Sequence, residues 1–489
     1  MRFLLMGLLF CVAVGSASAQ TGSTLDDETT SPADEDALLE LANQSRKGDL
    51  EEILASGFIR VATANNPLFF NASGVDQGGL AVEISREMEK FLRKTYPKKA
   101  RHINVILLPM GRDDILPALS EGRADVAAAN LTITPERSEE VAFSIPTSTG
   151  VRELVISGPA APAIAGFDDL AATTLHLRRS SSYFEHLSAL NEAREAEGKP
   201  VIPIEEMDEH LEDYDILEMI NADLLPATIV DSHKAAIWHQ VFDKIKIHED
   251  IAVNEGGEIA WAVRKDNPEL LAAINTFVKS IRKGTLLGNI LINRYIKNRD
   301  WVGNARADES MARFEQTLEI IKRYANEYNF DWLMIAAQGY QESKLDQSKR
   351  SKVGAIGIMQ VMPNTAKDPV VGIPDVTDAE NNIHAGVRYL RFLRETYFND
   401  PEIAPLDRVL LSFGAYNAGP GNMKKARRRA EKLGLDPNIW FDNVEIAAAK
   451  AVSREPVIYV RNIYKYYIAY KFMQKTREAR EAVTKEVAQ

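Results

Sequence analysis

Two textures of hydrophobic and polar positions divide the chain. From about residue 50 to 300, short apolar runs alternate with amphipathic stretches. "FIRVATA" (58–64), "INVILLP" (103–109) and "DVAAANLTIT" (125–134) are β-rich runs, and "GLAVEISREMEKFLRKTY" (79–96) and "RDDILPALSEGRA" (112–124) carry apolar residues at helical spacing. A second block runs from "TTLHLRRSSSYFEHL" (173–187) to "LLPATIVDSHKAAIWHQ" (224–240), and "GEIAWAVRKDNPELLAAINTFVKSIRKG" (257–284) closes the unit. Strand and helix in alternation predict an α/β domain with a mostly parallel sheet and ligands at the strand ends. Beyond residue 311 the period changes. "FEQTLEIIKRYANEYNF" (314–330), "DWLMIAAQGYQESK" (331–344), "NNIHAGVRYLRFLRETY" (381–397), "DRVLLSFGAYNAG" (407–419) and "EPVIYVRNIYKYYIAYKFMQ" (455–474) repeat at i, i+3 and i+4. That half is predicted to be all-α.

The N-terminus follows neither pattern. Arg2, the apolar run "FLLMGLLFCVAVG" and "ASA" at 17–19 form an export signal cut before Gln20. Phe10 precedes Cys11, which disfavours lipid attachment at that cysteine. Residues 20–49 are an acidic linker followed by a short helix beginning near 38. The expected divisions are 1–19 signal, 20–49 linker and helix, 50–300 two-lobed domain, 301–312 linker, 313–475 helical domain and 476–489 helical tail. The connection at 285–312 has no Gly/Ser/Pro tract, so a defined relation between the halves is expected.

Composition narrows the function. At 489 residues, 45% hydrophobic and a formal charge of −12, the chain has material for several cores and the wrong sign for nucleic acid. Cys11 is its single cysteine, so the mature chain is expected to carry no disulfide and no cysteine metal site. No His/Cys/Asp cluster suggests a metal, and no cofactor is expected.

In the first half, Arg137 stands near Thr132 and Asn130, a guanidinium beside polar groups at a strand-to-helix turn. That set suits a carboxylate, which a guanidinium holds with two hydrogen bonds. A plainer alternative is Arg137 pairing with Glu136 or Glu139 on a solvated face. "IRVATANNPLFF…GLAVEISREM", "LSEGRADVAAANLTITPERSEEVAFSIP" and "WAVRKDNPELLAAINTF" resemble the periplasmic amino-acid-binding proteins of transport systems, over about 250 residues. The resemblance implies two lobes closing on a ligand. It implies that Asn130, Thr132 and Arg137 meet the ligand carboxylate, Asp231 its ammonium, and Ser181 and Ser182 form a hydroxyl-bearing turn. Ser180 replaces a glycine usual in that family.

In the second half, "GYQESKLDQSKRSKVGAIGIMQVMPNTA" (339–366) places Glu342 in the last turn of a helix. Enclosure by Tyr, Met and Ile would strip its hydration and raise its pKa, as a proton donor near neutral pH requires. Alone, such a glutamate is more often a solvent-exposed helix end. Gly354 and Gly357 are expected to let the backbone approach a ligand. The ordered motifs "QESKLDQSKRSKVGAIGIMQVMPNTA", "NNIHAGVRYL", "AYNAGPGN" and "PVIYVRNI" resemble the family-1 lytic transglycosylases, the goose-lysozyme-like group, over about 160 residues. The fusion with a binding-protein half is similar to membrane-bound lytic murein transglycosylases. The fold class expected is therefore multidomain: a two-lobed α/β periplasmic-binding-protein-like domain, then an all-α lysozyme-like domain.

The resemblance implies a peptidoglycan lytic exotransglycosylase with Glu342 as acid and then base. It implies that Ser343 touches substrate, Met359 and Gln360 line the glycan groove, Tyr416 and Asn417 position sugar groups, and Tyr459 supports the glutamate. A glycosidase normally needs a second carboxylate, about 5 Å away to retain or about 6.5–9.5 Å away to invert. None is evident near Glu342. A transglycosylase needs none, because the muramic 6-hydroxyl is a tethered nucleophile that closes a 1,6-anhydro ring. A hydrolytic muramidase and a non-catalytic murein-docking receptor remain as alternatives. The expected partners are peptidoglycan glycan strands and a muropeptide or amino-acid-like ligand in the first half. The expected location is the periplasm, with any outer-membrane association peripheral.

Overall fold

A computed structural model describes residues 44–66, 71–73, 76–282, 285 and 310–487. The export signal, the acidic tract and most of the connection between the halves lie outside the described residues. The helix expected from residue 38 is described only in its second half. Residues 44–49 are not helical, and Asp49 caps Leu50–Ser56 with a capping box to Glu52.

The first half is two-lobed, as expected. Lobe 1 holds β1 (Phe58–Ala64), the β2 (Asn71–Ser73) and β3 (Asp76–Gly78) hairpin, β4 (Asn104–Met110), β5 (Val126–Thr132) and β6 (Val141–Phe143). Lobe 2 holds β8 (Leu175–Arg178), β9 (Ile204–Met207) and β10 (Ala227–Asp231). β7 (Ser148–Ser157) and the 19-residue β11 (Lys246–Arg264) link them, so one sheet runs β4-β1-β5-β11-β7-β10-β8-β9. The sheet is mixed. β1 pairs parallel with β4 and β5, and β8 with β9 and β10, but β11 runs antiparallel to β5, β6 and β7. The mostly parallel expectation fails at this centre, because a chain that crosses between lobes and returns must bring back strands of opposite sense.

Lobe 1 is pinned to its N-terminal segment by ionic contacts. Asp125, 1% exposed, accepts from the backbone N–H and guanidinium of Arg60 and from Arg46.

The second half is helical: Ser310–Glu327, Trp332–Ser343, Pro363–Lys367, Ala379–Tyr397, Pro405–Ala418, Pro420–Lys432, Glu445–Ala451 and Arg454–Val487. The last helix runs through residue 475 without a break, so the expected separate tail is its continuation. Its core is continuous with that of lobe 2: Leu177, Ile216 and Trp238 belong to the same apolar cluster as Ile335, Phe413, Trp440 and Ile463. The defined relation expected from the linker's composition thus has a packing cause.

The Arg454–Val487 helix also makes polar contacts to both lobes, and Glu445 of the preceding helix accepts from Asn65 Nδ2 at 2.6 Å. Tyr464 donates to Asp208 at 2.7 Å, Lys465 to Glu218 at 2.5 Å and Lys475 to Glu205 at 2.6 Å, all in lobe 2. Arg461 Nη1 donates to the Asn65 carbonyl in lobe 1 at 2.9 Å, and its Nη2 to the His210 carbonyl in lobe 2 at 3.4 Å.

Candidate active site

The Trp332–Ser343 helix is nearly all buried, capped by Asp331 at its start and by Lys344 in the left-handed region (φ 61°) at its end. Leu345 follows at φ 59°, so the chain turns sharply away just after Glu342. Ser343 holds that turn. Its hydroxyl donates to the Ile358 carbonyl at 2.9 Å and accepts from the Asp346 N–H at 3.0 Å. At 2% exposure it lies behind the site, and the expectation that Ser343 touches substrate is corrected.

The loop that follows folds back on small antiparallel bridges, Arg350 to Ile356 and Ile356 to Val361. Buried Asn382 staples it, accepting from Met359 N–H at 2.8 Å and donating to the Ile356 carbonyl at 2.7 Å. Met359 is fully buried, and a Cβ on Gly386 would lie 2.6 Å from its own Cβ. It is therefore a core residue seated against a glycine, not a groove-lining one as expected. Gly357 (φ 74°) faces Gln347 and Asn382, so its missing side chain makes room for protein, not for ligand. Gln360 stays half-buried at φ 45°, its amide donating to the Gly357 carbonyl at 2.8 Å.

Glu342 is brought together with Tyr459 and Tyr416 from two other helices. Tyr459 Oη donates to Glu342 Oε1 at 2.5 Å. Tyr416 Oη donates to the Met359 carbonyl at 2.8 Å, and its half-buried phenol lies within the electrostatic reach of Glu342. Asn417 is half-buried beside it. Burial pushes the Glu342 carboxyl up to about 7, against the pull of the Tyr459 hydroxyl and the Lys349 ammonium. Among the described residues no second carboxylate acts on it. Lys349, which donates to the Glu342 carbonyl at 2.9 Å, and Gln338, one turn earlier, were not foreseen. The i−4 spacing of Gln338 was a signal available for the latter.

In the first half, the structure gathers the candidate residues at the cleft between the lobes, but protein groups already occupy them. Arg137 is 9% exposed. It donates to Glu185 of lobe 2 at 2.8 Å, to the Ser180 carbonyl at 2.8 Å and to the Thr132 carbonyl at 3.3 Å. Its partner is thus neither Glu136 nor Glu139. Asp231 pairs with Lys234 at 2.9 Å and accepts from Asn130 at 3.2 Å. Ser182 donates to Glu153 at 2.7 Å, and its hydroxyl lies 3.2 Å from that of Thr132, from which it can accept. Ser181 caps the following helix, and its hydroxyl is occupied by the Arg178 carbonyl and the Phe184 N–H. Glu185 lies 48 residues from Arg137 and did not follow from local pattern, whereas Lys234, three residues after Asp231, was within reach of local spacing.

Residues 319–438 match the family described as Transglycosylase SLT domain, and residues 59–297 that described as Bacterial extracellular solute-binding proteins, family 3. A "Membrane-bound lytic murein transglycosylase F" of Desulfosudis oleivorans is 30% identical over 374 residues, covering 73% of this chain and 79% of that protein. One of Pseudomonas fluorescens with the same name is 28% identical over 438 residues, covering 86% and 85%. Among solved structures, a substrate binding protein of an amino acid ABC transporter covers 50% of this chain and 100% of its own, at 22% identity and a TM-score of 0.39.

Proposed function

The chain belongs to the membrane-bound lytic murein transglycosylase F family, and from that premise we propose a specific course for its reaction. It is a peptidoglycan lytic transglycosylase. Its bond of attack is the β-1,4 link from N-acetylmuramic acid to N-acetylglucosamine. Glu342, protonated at rest, gives its proton to the leaving glycosidic oxygen as the C1–O bond breaks. Positive charge develops at the muramic anomeric carbon, assisted by the neighbouring acetamido group. Glu342, now a carboxylate, removes the proton of the same sugar's 6-hydroxyl. O6 bonds to C1, the 1,6-anhydro ring closes and Glu342 ends protonated again.

The observation that carries this reading is the state of Glu342: one carboxyl, poised near 7, with a tyrosine on one oxygen and no carboxylate partner among the described residues acting on it. Product analysis tests it. Muropeptides released from peptidoglycan by the full chain should be lighter by one water than a muramidase's products. Reducing ends that carry that water would identify a hydrolase.

The cleft of the first half takes an amino-acid-like or muropeptide ligand whose carboxylate displaces Glu185 from Arg137. Binding there would act on the catalytic half through the shared helix Arg454–Val487. By titration calorimetry with free L-amino acids, E185Q should bind about tenfold more tightly than wild type, because Arg137 no longer has to leave a charged partner. Equal affinities would show that Arg137 is not a ligand contact. The enzyme acts in the periplasm after export, and no helix among the described residues is long and apolar enough to cross a membrane. Contact with the outer membrane would then be peripheral.

A further inference from the structure

Gln338 is a buried polar side chain that the reaction above leaves unused. It precedes Glu342 by one turn of the Trp332–Ser343 helix, so both project from the same face. It is fully buried, yet its Oε1 has no hydrogen-bond partner among the described residues. Leucine would fill similar space without stranding a polar oxygen. Among the described residues its side chain makes one hydrogen bond, from Nε2 to Tyr459 Oη at 3.2 Å. Tyr459 in turn meets Glu342 Oε1 at 2.5 Å.

Proton counting sets the direction of this chain. Two oxygens 2.5 Å apart need a proton between them. When Glu342 is ionised, only Tyr459 can supply it, so any other group on that phenol oxygen must be a donor. Gln338 Nε2 is such a donor. When Glu342 is protonated, the reversed array would have the carboxyl O–H pointing at Tyr459. The tyrosine's own proton would then need an acceptor, and Gln338 turns its NH₂, not its carbonyl oxygen, toward Tyr459. Tyr459 therefore donates to Oε1 in both states. The acid's proton is left on Oε2, which has no protein partner among the described residues.

We propose that Gln338 is a positioning residue: by donating to Tyr459 it aims the tyrosine's proton at Oε1 of Glu342 and keeps the transferable proton on Oε2. The groups that face Glu342 are Tyr459 from the Arg454–Val487 helix, Tyr416 from the Pro405–Ala418 helix and Lys349 from the loop. Gln338 acts through the first of these. The inference rests on Glu342 being the acid and base proposed above.

The test uses the full-length chain and a double-mutant cycle of Q338L and Y459F, with peptidoglycan turnover followed across pH and melting followed in parallel. Q338L should melt at or above the wild-type temperature, since it removes a stranded oxygen. Its kcat should fall about tenfold, the scale of one hydrogen bond to a charged group. The alkaline limb of its pH profile should move up, because a loosened tyrosine stabilises the carboxylate less. In the Y459F background Q338L should change neither quantity further. Q338M preserves chain length and serves if Q338L does not fold. Wild-type turnover and an unmoved limb in these variants overturn the proposal, as does an equal loss with Tyr or Phe at 459. With E342Q in the same assay the two claims separate. A dead E342Q beside an unaffected Q338L removes only the role of Gln338, whereas an active E342Q removes the assignment of Glu342.

Discussion

Glu342→Gln is expected to lower glycan release from peptidoglycan by about a thousandfold, the scale of a lost general acid and base. Glutamine keeps the shape and can still accept the Tyr459 hydrogen bond, so the folded chain should survive while the transferable proton is gone. The wild-type pH profile follows from the same carboxyl. Glu342 starts each turnover protonated, so kcat/KM should fall as pH rises past about 7. Stability carries the opposite mark of this tuning. The folded value of about 7 lies above the ordinary 4.5, so the native chain holds this proton more tightly than the unfolded chain. Stability from the group is present below about pH 4.5 and is lost as pH rises to about 7. E342Q is free of that loss. It should exceed wild type by up to about 3 kcal/mol at pH 8 and match it at pH 4, by denaturant titration. An E342Q chain that retains full release, or that gains no stability at pH 8, would contradict a buried acid.

Arg461→Met is expected to destabilise the folded chain by about 3 kcal/mol, because it strands buried carboxylates instead of replacing a pair. The guanidinium joins lobe 1 at the Asn65 carbonyl, lobe 2 at the His210 carbonyl and the catalytic half from which it comes. Asp215, with 0% exposure, lies 3.6 Å from its Nε, and buried Glu445 and half-buried Asp442 depend on its charge. Burial, with Glu445 beside it, already pushes Asp442 up to about 7. Without Arg461, Asp442 and Glu445 would rise further. Raised acids lose stability as pH rises through their range, so the deficit of R461M should be larger at pH 8 than at pH 5. Scanning calorimetry reads both the melting temperature and whether the lobes and the catalytic half still unfold together. A melt indistinguishable from wild type at both pH values would mean that the junction does not depend on Arg461.

Much of the fold was legible because it is written in period. The change from alternating runs to the 3.6-residue repeat near residue 311 marks the change from sheet to helices, and Glu342 stands in the last turn of its helix as the spacing predicts. The mixed sheet was not legible, because strand direction at β7 and β11 follows from the path between lobes and not from local pattern. Residue types at the site were legible, but their directions were not. Ser343 and Met359 lie in the motifs as expected, yet one locks a turn and the other fills the core. A helix end with two left-handed residues re-aims every side chain after it, and no period encodes that.

The sequence alone determined that a binding-protein-like half precedes a helical half, and that one glutamate stands where an acid is needed with no second carboxylate evident near it. These are properties of order and spacing. The tertiary structure decided which groups meet. It set Tyr459 on Glu342 across 117 residues, Gln338 behind Tyr459, Glu185 on Arg137, and Arg461 among both lobes. Each of these contacts joins elements distant in the chain or depends on such a junction. Burial and charge at a point are set by everything packed around it, which is why the poise of Glu342 near 7 belongs to the fold and not to the motif.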